Sequence, residues 1–265
     1  MFDNTYFVLV LSLLLPLIGT TLGAAMVIFA RGGLKPWLQK ILLGFASGVM
    51  VAASIWSLII PALDLATKPA KALWVPAAAG FVLGMGFLLL LDTIVPHIHI
   101  NSDEPEGIKT KKLSRTNMMI FAVTLHNIPE GIAVGVAIAG ALVGNAGISL
   151  MGALVLSIGI ALQNFPEGAI VSLPLRIEGS SRKKAFWFGT LTGAVEPVAA
   201  ILTIALTHLV VPILPYLLSF AAGAMIYVVV EELIPQSQDG KHSNLATVGF
   251  LVGFVVMMIL DITIG

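Results

Sequence analysis

The chain has 265 residues, of which 58% are hydrophobic and 11% charged. So few polar side chains cannot clothe a soluble globule of that size, so a water-soluble domain is excluded. The 14 basic and 14 acidic residues balance to zero net charge, which offers no footing for a nucleic-acid partner, and the absence of cysteine excludes disulfides and thiolate metal ligands.

Apolar runs that suffice for about 30 Å of hydrocarbon predict eight helical spans, at roughly 5–29, 37–62, 73–95, 116–140, 146–173, 185–208, 212–235 and 244–263. The first run has no basic stretch before it and no convincing small-residue cleavage site after it, so it reads as a retained span rather than a leader. The fold class is therefore an all-α membrane protein, a single domain over residues 1–265 with its lipid bilayer as solvent. Spans 1–3 cover about 5–95, a polar loop about 97–115, the central spans 4 and 5 about 116–173, and spans 6–8 about 185–263. The loops after the first, third, fifth and seventh spans and the span ends that border them hold Arg31, Lys35, Lys40, Lys109, Lys111, Lys112, Arg115, Arg176, Arg182, Lys183, Lys184 and Lys241, against Lys68 and Lys71 on the other face. The positive-inside rule then puts those loops in the cytoplasm and both termini outside.

Two internal similarities follow. Leu42–Asp64 (LLGFASGVMVAASIWSLIIPALD) resembles Leu217–Asp239 (LLSFAAGAMIYVVVEELIPQSQD), and Phe81–Asp92 (FVLGMGFLLLLD) matches Phe250–Asp261 (FLVGFVVMMILD). The copies lie five spans apart, so each runs through the membrane opposite to its partner. The predicted plan is a 3+2+3 inverted repeat, an architecture that recurs in secondary transporters. Shared apolar composition is the competing explanation for any one match, but less so for these two and the LHNIPEG/LQNFPEG pair of spans 4 and 5 together in consistent register.

The central pair carries the chemistry. LHNIPEG (Leu125–Gly131) on span 4 returns as LQNFPEG (Leu162–Gly168) on span 5. At helical pitch His126, Asn127 and Glu130 reach one side, as do Gln163, Asn164 and Glu167. Each proline obstructs the carbonyl four residues earlier and is expected to kink the helix and free that oxygen. An intramembrane carboxylate costs about 2.5–3.5 kcal/mol on the most lenient scale, so two of them need an offsetting partner. A divalent cation is such a partner: carboxylate, imidazole and amide groups suit Zn²⁺, Fe²⁺, Mn²⁺ and, with Met50 nearby, Cd²⁺. The competing account is two kinked helices locked by protonated or amide-paired glutamates. A third PEG at Pro105–Gly107 sits in a charged loop without the flanking imidazole and reads as loop.

HNIPEG followed by QNFPEG, with eight spans and outside termini, resembles the ZIP family of divalent metal transporters, near its bacterial members and the GufA-like branch, over nearly the whole chain. The resemblance implies a transport site on spans 4 and 5 that can hold two metals bridged by the motif glutamates. Carried onto this sequence, the first site would use His126, Glu130, Gln163 and Glu167, with Met50 of span 2 beside them. The second would use Asn127, Glu130, Asn164, Glu167 and Glu196 of span 6. Some relatives have an aspartate where this chain has Asn164, and an amide brings no charge to a second dication, so the second site stays open.

Under the predicted orientation Asp92, His97, His99, Glu231 and Glu232 form an exit path on the cytoplasmic side, a role to which the resemblance also points. A solvated HxH in a polar loop accounts for the two histidines almost as well. Asp64 stands at the outer face as a collector of cations and Ser57 about two turns below it. Asp261, the mate of Asp92, also falls at the outer end. The expected function is a secondary importer of Zn²⁺ and related divalent cations (Cd²⁺, Fe²⁺, Mn²⁺), in a bacterial inner membrane. It is not an enzyme, since no HExxH-like set with a third ligand is present. The other readings are a non-transporting metal-binding scaffold or sensor and, further off, an intramembrane zinc enzyme. A homodimer is a family expectation, with Gly80 and Gly84 as its small-residue spacing.

Overall fold

A computed structural model describes residues 2–30, 33–65, 72, 74–95, 115–144, 148–240 and 242–265. The described residues are all helical or connecting. Eight helices are long and apolar enough to cross a membrane: span 1 (Thr5–Phe29), span 2 (Pro36–Leu65), span 3 (Trp74–Ile94), span 4 (Ile120–Leu142), span 5 (Leu150–Ile177), span 6 (Arg182–Ala205), span 7 (Thr207–Gln238) and span 8 (Leu245–Ile264). Spans 2 and 7 run longer at both ends than their hydropathy predicts. Below, the end of the bundle bearing the basic loops is called the basic face, and the end bearing both termini the opposite face.

Span 5 starts on Ser149, whose hydroxyl accepts the Gly152 amide, and span 6 on Ser181, whose hydroxyl accepts that of Lys184. These caps meet amide hydrogens that no carbonyl within the helix can reach. The motif prolines act more gently than expected: the helix continues through both Pro129 and Pro166. The irregular turns lie elsewhere. Spans 2 and 7 widen into π-turns at Ser54–Ile59 and Val229–Leu233, where the Ile60 and Ile234 amides reach five residues back to Ile55 and Val229. A proline follows each, Pro61 and Pro235, and its missing amide withholds the next helical bond. Span 6 breaks at Ala194, because Pro197 has no amide to offer the Gly193 carbonyl.

Packing regroups the chain. Span 1 lies along span 5 and against span 6, and span 6 along span 4. Span 2 lies along span 8, and span 7 along span 3. The bundle thus holds a group of spans 1, 4, 5 and 6 and a group of spans 2, 3, 7 and 8, which meet where span 2 touches span 5 and span 7 touches span 4.

Glycines set the approach within each group. A Cβ on Gly48, Gly249 or Gly253 would stand 2.1–2.4 Å from the carbonyl oxygen of Phe250, Ile41 or Phe45 across the span 2–span 8 seam. On the span 7–span 3 seam, Gly223, Gly80 and Gly84 meet Phe81, Tyr216 and Phe220 in the same way. Under the two internal similarities these are the same three contacts. Gly131 meets Glu196 of span 6, and its motif mate Gly168 meets Thr20 of span 1. Such closeness is how helices cohere in lipid, where apolar burial alone gains little. Gly80 and Gly84 are spent on this internal packing, which removes the sequence support for a dimer seam.

Candidate metal-transport site

Spans 4 and 5 bring the two motifs together in the interior. Glu130, Asn127, Gln163, Asn164 and Glu196 are each no more than 1% exposed. Gln163 Nε2 donates to Glu130 Oε1 at 2.6 Å, and Asn164 Nδ2 donates to Glu196 Oε1 at 2.8 Å. Asn164 Nδ2 also reaches the Pro16 carbonyl at 3.3 Å, while Asn127 Nδ2 donates to the Thr192 carbonyl at 3.1 Å. The break at Ala194 places Glu196 in the first turn of the second half of span 6, facing inward.

Five oxygens in this group are buried without a hydrogen-bond donor: Glu130 Oε2, Gln163 Oε1, Asn127 Oδ1, Asn164 Oδ1 and Glu196 Oε2. Each costs about 1–3 kcal/mol if left so. All five are acceptors, and an acceptor of this kind is met by a donor or by a cation.

The imidazole of His126 turns toward the basic face. Its Nδ1 lies 3.1 Å from Glu232 Oε1 and its Nε2 3.7 Å from Asp92 Oδ1. Tyr227 donates its hydroxyl to Asp92 Oδ2. His126, Glu167 and Glu232, with Gln236, line a cavity of about 20 Å³, room for about one water-sized sphere. Glu167, half-buried, shares this cavity with His126 and Glu232.

Met50 is fully buried in the apolar core of span 2, which packs on span 5. Among the described residues, no three His, Asp or Glu side chains converge on a point that would hold a metal. The first predicted site is therefore brought together as neighbours rather than as a closed coordination shell. Gln163 occupies one oxygen of Glu130, and His126 is engaged by Asp92 and Glu232. Of the predicted exit residues, Asp92 and Glu232 meet at His126, Glu231 is exposed, and His97 and His99 lie outside the described residues.

At the opposite face a second cavity, of about 330 Å³, is lined by Ser57, Asp64 and Asp261 together with Trp56, Ala137 and Ala153. Ser57 donates to Asp261. Asp64 is exposed at its rim. Ala137 is seven residues beyond Glu130, about 10 Å along the helix. The interval on spans 2, 4 and 5 is filled by fully buried Met50, Ala53, Ala133, Val134, Leu156 and Ile160. A closely packed layer, whose two buried hydroxyls, Ser54 and Ser157, turn back to the Met50 and Ala153 carbonyls, thus separates this vestibule from the carboxylates.

Tyr227 and Gln236 were not anticipated. A tyrosine in an apolar span, four residues before Glu231, was the available signal for the first. Asp261 was placed at the outer end, but its bond to Ser57 was not foreseen.

The chain matches the family model described as ZIP zinc transporter over residues 99–261. It is similar to zinc transporter ZIP11 of Homo sapiens, 36% identical over 93% of this chain and 94% of the relative. It is 38% identical to zinc transporter GufA of Myxococcus xanthus over 84% of this chain and 85% of the relative. With zinc transporter ZIPB of Bordetella bronchiseptica it shares 36% identity over 93% of this chain and 78% of the relative.

Proposed function

Because the chain belongs to the ZIP zinc transporter family, and is therefore a multi-pass membrane protein that transports zinc rather than an enzyme, we propose that zinc crosses at the carboxylates of spans 4 and 5 and moves inward, from the face carrying both termini to the basic face. The observation that carries this reading is the pair of donorless buried oxygens on two of its ligands, Glu130 Oε2 and Gln163 Oε1. A divalent cation offsets their desolvation and the carboxylate charge together.

In this reading the vestibule collects the ion at Asp64, Asp261 and Ser57. Zinc exchanges part of its hydration shell for Glu130, Glu167 and Gln163, with His126 completing the set once its ring leaves Glu232. The return of His126 to Asp92 and Glu232 then hands the ion to the exit path, which His97 and His99 continue. Zinc binding frees Gln163 from Glu130, since a metal and an amide hydrogen cannot share one lone pair. Met50 offers a soft thioether at the packed layer, which widens the range toward Cd²⁺; Fe²⁺ and Mn²⁺ suit the oxygen ligands.

Access alternates by movement of the group of spans 1, 4, 5 and 6, which carries the motif ligands, against spans 2, 3, 7 and 8, which carry Asp64, Asp92, Glu232 and Asp261. The mirrored glycine contacts support the inverted-repeat plan. The twelve-to-two bias of basic residues supports termini outside the cytoplasm and an inner-membrane setting. The ion's own gradient, membrane potential or proton exchange drives it.

The test is Zn²⁺ entry into proteoliposomes, followed with a trapped fluorescent chelator. Saturable entry lost in Glu130→Ala supports the site; entry that survives this change rejects it.

A further inference from the structure

We infer that Asn127 and Asn164, the asparagines of the repeated motif, are positioning residues that fasten spans 4 and 5 to spans 6 and 1 through their amide nitrogens. Asn127 Nδ2 donates to the Thr192 carbonyl of span 6 at 3.1 Å, and Asn164 Nδ2 to the Pro16 carbonyl of span 1 at 3.3 Å. The two asparagines are 37 residues apart, as are all paired positions of the motif. Thr192 and Pro16 are 176 apart, and the same offset relates Glu196 to Thr20, the residues met by the motif glycines Gly131 and Gly168. The two bonds are one bond made twice, each about one helical turn from a glycine contact on the same seam.

The orientation of both amides is dictated by these partners. An amide oxygen turned to the Pro16 carbonyl and to Glu196 Oε1 would set acceptor against acceptor, so at Asn164 the nitrogen must face them. Both residues are fully buried, and each nitrogen replaces what water gave the carbonyl it meets.

The consequence is mechanical. Glu130 follows Asn127 by three residues and Glu167 follows Asn164 by three, so each fastener fixes the height and rotation of its carboxylate against a flanking span. Spans 1, 4, 5 and 6 then carry the ligands as one body. This rests on the transport site proposed above for what is being held, and it assigns the two asparagines a task distinct from ligation by their side-chain oxygens.

The experiment pairs two readouts on Asn127→Leu and Asn164→Leu, near-isosteric changes that remove the donor. Zinc affinity of the purified protein is measured by equilibrium dialysis, and maximal zinc entry in proteoliposomes. A fastener predicts that entry falls by about tenfold in Asn127→Leu, the equivalent of one buried hydrogen bond, and by at least as much in Asn164→Leu, which also loses its bond to Glu196, while affinity changes less than about threefold in each. Affinity lost in step with entry makes the asparagines ligands and overturns the inference, as does wild-type behaviour in both readouts. Glu130→Ala is run alongside: if it keeps zinc affinity, the site reading fails while the fastener stands or falls on entry alone. A variant that does not fold is replaced by a measurement on the wild type, side-chain amide hydrogen exchange by NMR. Slow exchange of Asn127 and Asn164, with and without Zn²⁺, is expected, and exchange at the rate of exposed asparagines overturns the inference.

Discussion

Replacing Gly168 by alanine tests whether the motif glycine is there to let two backbones touch. A Cβ at this position would lie 2.1 Å from the Thr20 carbonyl oxygen and 2.8 Å from the Ala24 nitrogen. Carbon–oxygen approaches below 3.0 Å do not persist, so spans 1 and 5 must part by about 0.9 Å. Both partners are helix backbone and cannot swing aside, which places the cost toward the upper end of the roughly 1–3 kcal/mol typical of overpacking. Alanine returns at most about 1 kcal/mol through its better helix propensity. The net loss is about 2 kcal/mol. Because Glu167 is the preceding residue, a displacement of this size also misplaces a ligand, and zinc entry should slow by about ten- to a hundredfold. Gly86→Ala is the control, since a Cβ there meets nothing within 4 Å. The assays are the unfolding temperature of the purified protein in detergent and zinc entry into proteoliposomes. A Gly168→Ala protein that melts and transports like the wild type refutes the reasoning, and so does a Gly86→Ala protein as damaged as Gly168→Ala.

Three further outcomes are expected. Tyr227→Phe deletes the donor to Asp92 and should cost about 1 kcal/mol in stability while slowing zinc release at the basic face, measured as efflux from preloaded vesicles; unchanged efflux removes Tyr227 from the path. Asp261→Asn should raise the half-saturating zinc concentration severalfold with maximal rate preserved, an effect that shrinks in high salt because it acts through vestibule charge; a salt-independent loss of rate would assign Asp261 another role. Zinc entry should fall as the medium is acidified from mildly alkaline to mildly acidic, because carboxylate and imidazole must shed protons to bind the metal; a flat profile counts against titration of those groups during the cycle.

Span positions were legible in hydropathy to within a few residues, because twenty consecutive apolar side chains have one economical place to go. The motif ligands were legible because a carboxylate beside proline in that setting is costly and was spent twice. What stayed hidden depends on contacts between distant spans. The i, i+4 spacing puts His126 on the side of Glu130, yet its ring turns to Asp92 and Glu232, carboxylates contributed by spans 3 and 7. Which of Glu231 and Glu232 faces inward could not be read either, since both sit in a π-turn where the 3.6-residue phase no longer holds. Proline alone does not mark irregular backbone in this chain. Pro129 and Pro166 are absorbed within continuous helices, whereas Pro61, Pro197 and Pro235 sit beside the real breaks.

The mirrored glycine contacts also bear on how the protein divides its time. Helix pairs that share three approaches on either side of the bundle carry similar contact energies there, and Gly44 against Ala246 adds a fourth approach to the span 2–span 8 seam, where the other seam has Ser219 in place of the glycine. The bias comes from pairs that do not match, among them Ser57 against Glu232, Ala52 against Tyr227, Gln163 against His126, and Thr20 against Glu196. Every 1.4 kcal/mol of difference among them moves the ratio of the two closed-end populations tenfold. Substitutions at these few positions act as weights on a balance, leaving the beam itself intact.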